Sequence, residues 1–376
     1  MKILQLIDRF DTGGAQSVAS CLALSLRERG HEVAIACLRD FGRMSVARET
    51  FSKAGIDLIE FRKPEGFSQP TLKRLTSYIR GRGFDVIHTH NPLVNHYGVA
   101  AALSADVRVT VQTVHGIHTL EMSRLGWLIY QTTCFFTDGI VSVCGPAQES
   151  FLRSTYFTKQ KATVIENGID LTELLRVRPR AADGEFVFGV AGRLAPVKNH
   201  RLLIEAFAIV HAKDARCRLE ILGSGELEAA LRAQVLTLGL EHRILLRGWS
   251  SDVAGFLAQI DTFVLSSVSE GLPMAVLEAM AAARPIISTA VGGVPQLIEG
   301  AKCGWLCEPN SPEALADAMQ EAMTSELQEK GERARNYVLR RFSAERMAEE
   351  YEALFRTLLH RERLATRNGQ KVAGTR

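Results

Sequence analysis

Phe186-Val187-Phe188-Gly189-Val190-Ala191 is an unbroken apolar run. Gly192-Arg193-Leu194-Ala195-Pro196-Val197-Lys198-Asn199 follows it, and a helical pattern opens near His200. A short continuous apolar run bounded by a glycine-bearing loop reads as a strand buried on both faces, as in parallel sheets. Arg193 and Lys198 then share one strand-to-helix loop at the carboxyl end of that strand, where open α/β sheets bind ligands. Two cations in such a loop suit a diphosphate. Taken singly, each also reads as scattered surface charge.

The alternation continues in both directions. The first half shows strand patterns at Lys2–Ile7, Val33–Leu38, Leu58–Phe61, Val86–Thr89, Val107–Val114 and Gly139–Val143. The second half shows them at Phe186–Ala191, Arg218–Leu222, Ile244–Leu246, Thr262–Leu265, Pro285–Ser288 and Gly304–Leu306. Helical patterns lie between them, such as Ala15–Arg29, where Val18, Leu22 and Leu26 recur, and Leu72–Arg82. Each half opens with strand, glycine loop and helix, using Gly13-Gly14 in the first and Gly192-Arg193 in the second. At 376 residues the chain is too long for one ordinary core. The expectation is an α/β protein of two Rossmann-like parallel-sheet lobes facing each other across a cleft.

The boundary between the lobes is expected between Asn167-Gly168 and Gly184, with residues 1–175 as the first lobe and 176–341 as the second, since residues 176–184 have the proline, glycine and charge content of a linker. A C-terminal helix of about 342–362 carries Met347, Tyr351, Leu354, Phe355 and Leu358 on one face and is expected to pack back on the first lobe. Residues 363–376 lack an apolar face and read as a disordered tail.

A second constellation is Glu270-Gly271-Leu272-Pro273-Met274-Ala275-Val276-Leu277-Glu278. Pro273 suits the first turn of a helix, whose open N–H groups and positive dipole end attract anions. Glu270 would precede that helix and Glu278 lie inside it, roughly 10 Å away at the helical rise. That is about the span from hexose to ribose in a nucleotide sugar, and carboxylates accept hydrogen bonds from sugar hydroxyls. Two glutamates at this spacing also occur on ordinary surface helices.

The net charge of +3 is too small to argue for nucleic acid. Basic residues gather at Arg62, Lys63, Lys73, Arg74, Arg80 and Arg82, and in the tail at Arg361, Arg363, Arg367, Lys371 and Arg376. These read as solvated faces, or as weak peripheral attraction to an anionic membrane surface. Seven cysteines without a Cys-x-x-Cys pair argue against a disulfide framework or zinc ribbon. The apolar start stops at Asp8-Arg9, so no signal peptide is read, and a cytoplasmic protein is expected.

The chain resembles glycosyltransferase family 4, the retaining nucleotide-sugar transferases of the GT-B fold. The residues that carry the resemblance are Gly13-Gly14, His115-Gly116, Asn167-Gly168-Ile169-Asp170, Gly192-Arg193 with Lys198-Asn199, Gly223-Ser224-Gly225, and Glu270 with Glu278. The resemblance implies a hexosyl or N-acetylhexosaminyl transfer from a nucleotide diphosphate sugar to a glycan or lipid-linked acceptor. UDP-sugar is favoured, GDP-sugar is kept as an option, and cell-envelope or exopolysaccharide biosynthesis is the default setting. The cytoplasmic protein would then work at the inner face of the membrane.

Roles follow from the resemblance position by position. Arg193 and Lys198 would grip the diphosphate and neutralise the departing nucleotide. Glu270 would hold hexose hydroxyls, and Glu278 would clasp the ribose. The amides of Gly271 to Met274, a stretch that includes Leu272 and Pro273, would bind donor oxygens. Gly248-Trp249 would lie beside the base, with core packing as the other reading of Trp249. Gly13 and Gly14 would let backbone approach the diphosphate. His115 would reach the hexose from the first lobe, with His118 and His90 as lower-ranked neighbours and His90 on the acceptor side. No metal or other cofactor is expected, since no two aspartates stand two residues apart and the two cations can take over a metal's part.

The sequence departs from the family pattern at Gln16, Gln296 and Cys303-Gly304-Trp305, which bears on acceptor contacts and lobe packing. Among rivals, a dehydrogenase would need Gly-x-Gly-x-x-Gly at the first turn, and Asp11-Thr12-Gly13-Gly14-Ala15-Gln16 does not supply it. A nucleotide-sugar epimerase of similar two-lobed fold, or a non-catalytic sugar-nucleotide-binding protein, remains as an alternative.

Overall fold

The computed structural model describes residues 1–10, 13–42, 47–116, 124–155, 159–180 and 184–373, with backbone alone at 47 and 365–373. It divides into two compact units, residues 1–168 with 344–376, and residues 169–343.

The first unit alternates strand and helix throughout. It runs β1 (Lys2–Ile7), α1 (Gly14–Glu28), β2 (Glu32–Cys37), α2 (Ala47–Lys53), β3 (Asp57–Glu60), α3 (Gln69–Arg82) and β4 (Val86–His90). It continues through α4 (Pro92–Ser104), β5 (Val109–Val114), α5 (Arg124–Phe136), β6 (Gly139–Ser142), α6 (Gly145–Ser154) and β7 (Ala162–Val164). The sheet order is β3-β2-β1-β4-β5-β6-β7, and every pairing is parallel. One face of the sheet packs Leu4, Leu6, Ala34 and Ile87 against Leu75, Ile79, Val94 and Tyr97 of α3 and α4.

The second unit contains β8 (Phe186–Ala191), α7 (His200–Lys213), β9 (Cys217–Leu222), α8 (Glu228–Thr237), β10 (Ile244–Gly248), α9 (Val253–Ala258) and β11 (Thr262–Leu265). Then come α10 (Met274–Ala281), β12 (Ile286–Thr289), α11 (Val294–Ala301), β13 (Gly304–Cys307), α12 (Pro312–Met323) and α13 (Leu327–Arg341). Its parallel sheet has the order β10-β9-β8-β11-β12-β13. Phe188, Val190, Leu219 and Ile221 meet Leu203, Phe207 and Met319 of α7 and α12 in its core. In both sheets the order reverses beside the first strand of the unit, which is the doubly wound pattern with its ligand-binding switch point.

The last helix, α14 (Ala344–Ala373), belongs to the first unit. Tyr351 shares a hydroxyl hydrogen bond of 2.7 Å with Thr113 of β5, and Arg29 donates to Glu352 at 2.7 Å.

Some details differ from the sequence expectation. The unit boundary falls at Gly168/Ile169, at the leading edge of the expected span from Asn167-Gly168 to Gly184 and ahead of residue 175, because the Ile169 N–H donates to the Phe342 carbonyl at 2.9 Å. The backbone is helical to Ala373, past residue 362, in keeping with a segment rich in strong helix formers. The edge strand β7 has only three residues, too few to show a periodic pattern.

Candidate active site

At the switch point of the second unit β8 and β11 are neighbours, so their following loops meet. The Val268 N–H donates to the Val197 carbonyl at 2.9 Å, and Ser266 Oγ donates to the Lys198 carbonyl at 3.0 Å. This brings Lys198, from the first loop, against Glu270, from the second. Lys198 Nζ lies 2.6 Å from Glu270 Oε1, and Ser267 Oγ donates to the same oxygen at 2.6 Å. The side chains are 25% and 10% exposed. Both bonds fall on Oε1, which leaves Oε2 to accept from a ligand hydroxyl. Arg193, in the same loop as Lys198, is exposed and has no ion pair among the described residues.

Two glycines let these loops close on their neighbours. Gly223 has φ +148°, and a Cβ there would lie 1.9 Å from the Gly192 carbonyl oxygen. Gly292 has φ +57°, and a Cβ there would lie 2.1 Å from the Glu270 carbonyl oxygen. The next residue, Gly293, donates its N–H to the Gly271 carbonyl at 2.8 Å. The backbone of the Glu270 loop is thus held from behind by the loop after β12, at a spacing that no side chain tolerates.

Helix α10 opens directly from the Glu270 loop. Pro273 stands at its N-cap with φ −72° and ψ 121°, just before the first helical residue. Pro273 has no N–H, and the amides of Met274 and Ala275 are open first-turn donors among the described residues. Glu278 is the fifth residue of α10, half-buried and without a hydrogen-bond partner among the described residues. Loss of hydration pushes its carboxyl up to about 7 from the usual 4.5. A carboxyl held this way releases its proton readily once a ligand supplies donors. Across the sheet, Gly248 ends β10 with its carbonyl accepting from the Gly223 N–H at 2.8 Å, and Trp249 beyond it is 38% exposed.

The switch point of the first unit gathers histidines. His90, the last residue of β4, is fully buried, with Nε2 2.8 Å from Gln5 Oε1 and Nδ1 2.8 Å from His115 Nε2. The His90 and His115 rings stack with centroids 5.1 Å apart. His88, also fully buried, lies 2.7 Å from Thr113 Oγ1 through its Nε2. Burial holds His90 well below the ordinary histidine value and brings His88 down to about 3. With no exposed surface and both ring nitrogens engaged, His90 holds His115 from behind. His118 lies outside the described residues, as do Asp11 and Thr12 before the glycine pair. Gly13 caps α1 in extended backbone, and the Cβ it lacks would meet only the flexible Gln16 side chain.

Ser267, Gln5 and Gly292 escape a reading of the sequence, since a lone serine, glutamine or glycine in a loop or strand carries no pattern. Among the described residues no group of three or more His, Cys, Asp or Glu side chains is placed to hold a metal ion.

Residues 12–173 match the model of Glycosyltransferase Family 4, and residues 172–341 match that of Glycosyl transferases group 1. The chain is 30% identical over 271 residues to the UDP-Gal:alpha-D-GlcNAc-diphosphoundecaprenol alpha-1,3-galactosyltransferase of Escherichia coli, a match covering 66% of this chain and 69% of that one. It is 36% identical over 166 residues to the N-acetyl-alpha-D-glucosaminyl L-malate synthase of Bacillus anthracis, covering 43% of each. Among solved structures, Anabaena Alr3699/HepE in complex with UDP-glucose superposes with a TM-score of 0.81 at 20% identity, covering 95% of this chain and 100% of that one.

Proposed function

The chain belongs to glycosyltransferase family 4 and has the GT-B fold, and from that membership we propose that it transfers a hexosyl or N-acetylhexosaminyl group from a UDP-sugar. A GDP-sugar is the second choice of donor. The acceptor is a glycan or a lipid-linked sugar, the setting is cell-envelope or exopolysaccharide biosynthesis, and the configuration of the sugar is retained without help from a divalent metal. No described helix is long and apolar enough to cross a membrane. We place the reaction on the cytoplasmic side, in peripheral contact with the inner face of the membrane.

The observation that carries this reading is the Lys198–Glu270 pair at the switch point of the second unit, with Arg193 in the same loop as Lys198 and Glu278 on α10 both without a partner among the described residues. In the proposed complex Arg193 and Lys198 meet the diphosphate, Glu270 Oε2 accepts from hexose hydroxyls, and Glu278 accepts from the ribose. The amides of Gly271 to Met274 face donor oxygens at the positive end of α10. His115, steadied by His90 and Gln5, meets the hexose.

The bond from the anomeric carbon to the phosphate oxygen breaks as the acceptor oxygen forms its new bond on the same face. The departing phosphate oxygen takes the acceptor's proton. Negative charge therefore grows on the diphosphate, and the two cations stabilise it where it grows. A contact of this kind contributes on the order of 3 kcal/mol. The galactosyltransferase relative supports a UDP-sugar and a diphosphate-linked lipid acceptor as the first pair to try.

A thermal-shift panel of UDP- and GDP-sugars tests the donor, since a ligand at a hundred times its dissociation constant stabilises by about 2.7 kcal/mol. The stabilising donor is then incubated with diphosphate-linked acceptors in EDTA, and the anomeric configuration of the product is read by NMR. Retained product in EDTA is expected. Inverted product would overturn retention, and activity lost in EDTA but restored by magnesium or manganese would overturn metal independence. Conversion of the donor to an epimer without any acceptor would favour the epimerase alternative.

A further inference from the structure

Helix α5 is turned apolar side out. Leu125, Leu128, Ile129, Phe135 and Phe136 are each between 43% and 67% exposed, while Tyr130 and Cys134 on the other side are buried. With exposed Thr132 among them, the outward residues recur at helical spacing and form one stripe along the whole helix. None of the residues from Arg124 to Phe136 is acidic, and Arg124 is the one charge. A contiguous exposed apolar stripe of this kind marks a surface that is covered in use.

The charges at its two ends indicate what covers it. Exposed Arg124 stands at the first turn. At the other end Lys161 donates to the carbonyls of Phe135 at 2.6 Å and Thr137 at 3.0 Å, with its ammonium 5.6 Å from the centre of the Phe135 ring. Lys159, beside it, is exposed and unpaired among the described residues. The acid at this end, Asp138, accepts from the Thr110 N–H at 2.7 Å. An apolar stripe flanked by cations complements an anionic bilayer, whose acyl boundary takes the leucines and phenylalanines while the head groups meet the cations. A second copy of the chain fits less well. A helix face of this length is about 20 Å by 10 Å, small beside the ~800 Å² per partner of a stable interface.

The basic cluster between Arg62 and Arg82 offers less. Arg62 pairs with Glu60, Arg82 with Asp57 and Glu32, and Arg74 and Arg80 donate to the carbonyls of Phe61 and Ser104. Lys63 is buried and donates to the Pro64 carbonyl, and the exposed aromatic beside the cluster, Phe67, lies with its ring 5.8 Å from that of Tyr97.

We infer that the outward face of α5, flanked by Arg124, Lys159 and Lys161, is the surface by which this protein seats on an anionic phospholipid bilayer. This gives a location to the peripheral contact proposed above. Because lipid binding is read without donor or acceptor, its failure is separable from failure of the glycosyltransferase reading.

The test is flotation of the full chain with vesicles of phosphatidylcholine alone or mixed with phosphatidylglycerol. The wild type should float with the mixed vesicles. Leu128→Ser combined with Phe135→Ser should weaken binding by about tenfold or more at every salt concentration. Arg124→Gln combined with Lys159→Gln should weaken it about fivefold for each cation at low salt, and less at high salt. Unchanged melting curves and an unchanged thermal shift with nucleotide sugar would show that both variants are folded. Three results would each overturn the assignment: no flotation of the wild type, wild-type flotation of the serine pair, or loss of flotation only in Arg62→Gln combined with Lys73→Gln. Light scattering that shows a dimer in the wild type and a monomer in the serine pair would make the face a self-association surface instead.

Discussion

Lys198 and Glu270, 72 residues apart in the chain, form a 2.6 Å ion pair that links the loop after β8 to the loop after β11. The pair joins the two loops that any ligand at this switch point must touch. It also places the cation proposed to meet phosphate within bonding distance of the carboxylate proposed to meet sugar. Arg193, in the loop of Lys198, has no such partner among the described residues, and the two cations should therefore respond differently to removal.

Lys198→Ala strands the Glu270 carboxylate in a nearly buried position, so stability should fall by about 1–3 kcal/mol while turnover falls by ~10²-fold or more. Arg193→Ala removes an exposed side chain and should leave the melting curve within about 0.5 kcal/mol of wild type, with a comparable loss of turnover. The double variant should fall short of additivity, because both cations act on one diphosphate. Turnover and melting measured side by side decide this, and near-normal turnover in Arg193→Ala would remove that residue from the site.

Glu270 and Glu278 should differ in kind. Glu270→Ala is expected mainly to depress turnover, and Glu278→Ala mainly to weaken donor binding. Glu278 adds a pH signature. Its folded value of about 7 lies above the unfolded value of about 4.5, so the folded chain holds this proton more tightly. Stability therefore falls as pH rises from about 4.5 to 7, and the whole penalty is present above 7. Glu278→Gln should be about 1–3 kcal/mol more stable than wild type at pH 8, equally stable near pH 4, and poorer at binding donor. Denaturant melts at both pH values and donor titrations measure the two effects. A destabilised Glu278→Gln at pH 8 would contradict the unpartnered state of this carboxyl.

Gly292→Ala tests the support behind the loop. The substitution forces a side chain into a left-handed backbone and against the Glu270 carbonyl, so at least one of the two loops must move. Donor affinity should drop by ~10-fold or more, with destabilisation of about 1–3 kcal/mol. Gly239→Ala, at φ +67° with open space around it, is the control for backbone strain alone. Equal effects on donor affinity in both would mean that the packing behind Glu270 is unimportant.

The histidine chain should make the protein sensitive to acid. Burial lowers His88 to about 3, with His90 also lowered, whereas unfolded histidines take up protons near 6.5. The folded state thus binds fewer protons in that window, and stability should be lost as pH falls from about 6.5 toward 3, by up to a few kcal/mol. His88→Gln should flatten this dependence in denaturant melts taken across the window. An unaltered slope would show that His88 does not carry it.

The succession of strands and helices was legible in the sequence because periodicity and glycine placement are local properties. The runs Phe186–Ala191 and Thr262–Leu265 even carry the strand bounds found in the structure. Arg193, Lys198, Glu270 and Glu278 stood out because charged residues are conspicuous in loops and turns that follow apolar strands. What the sequence left open depends on neighbours in space. Strand order brings Lys198 to Glu270, and the bond from Ile169 to Phe342 moves the unit boundary ahead of its linker-like residues. Burial makes His90 a support for His115. The composition of α5 likewise does not say which of its sides faces solvent. Hydrophobic periodicity records which side chains lie together on an element, whereas exposure and pairing are set by residues far away in the chain, and only the folded sheet decides those.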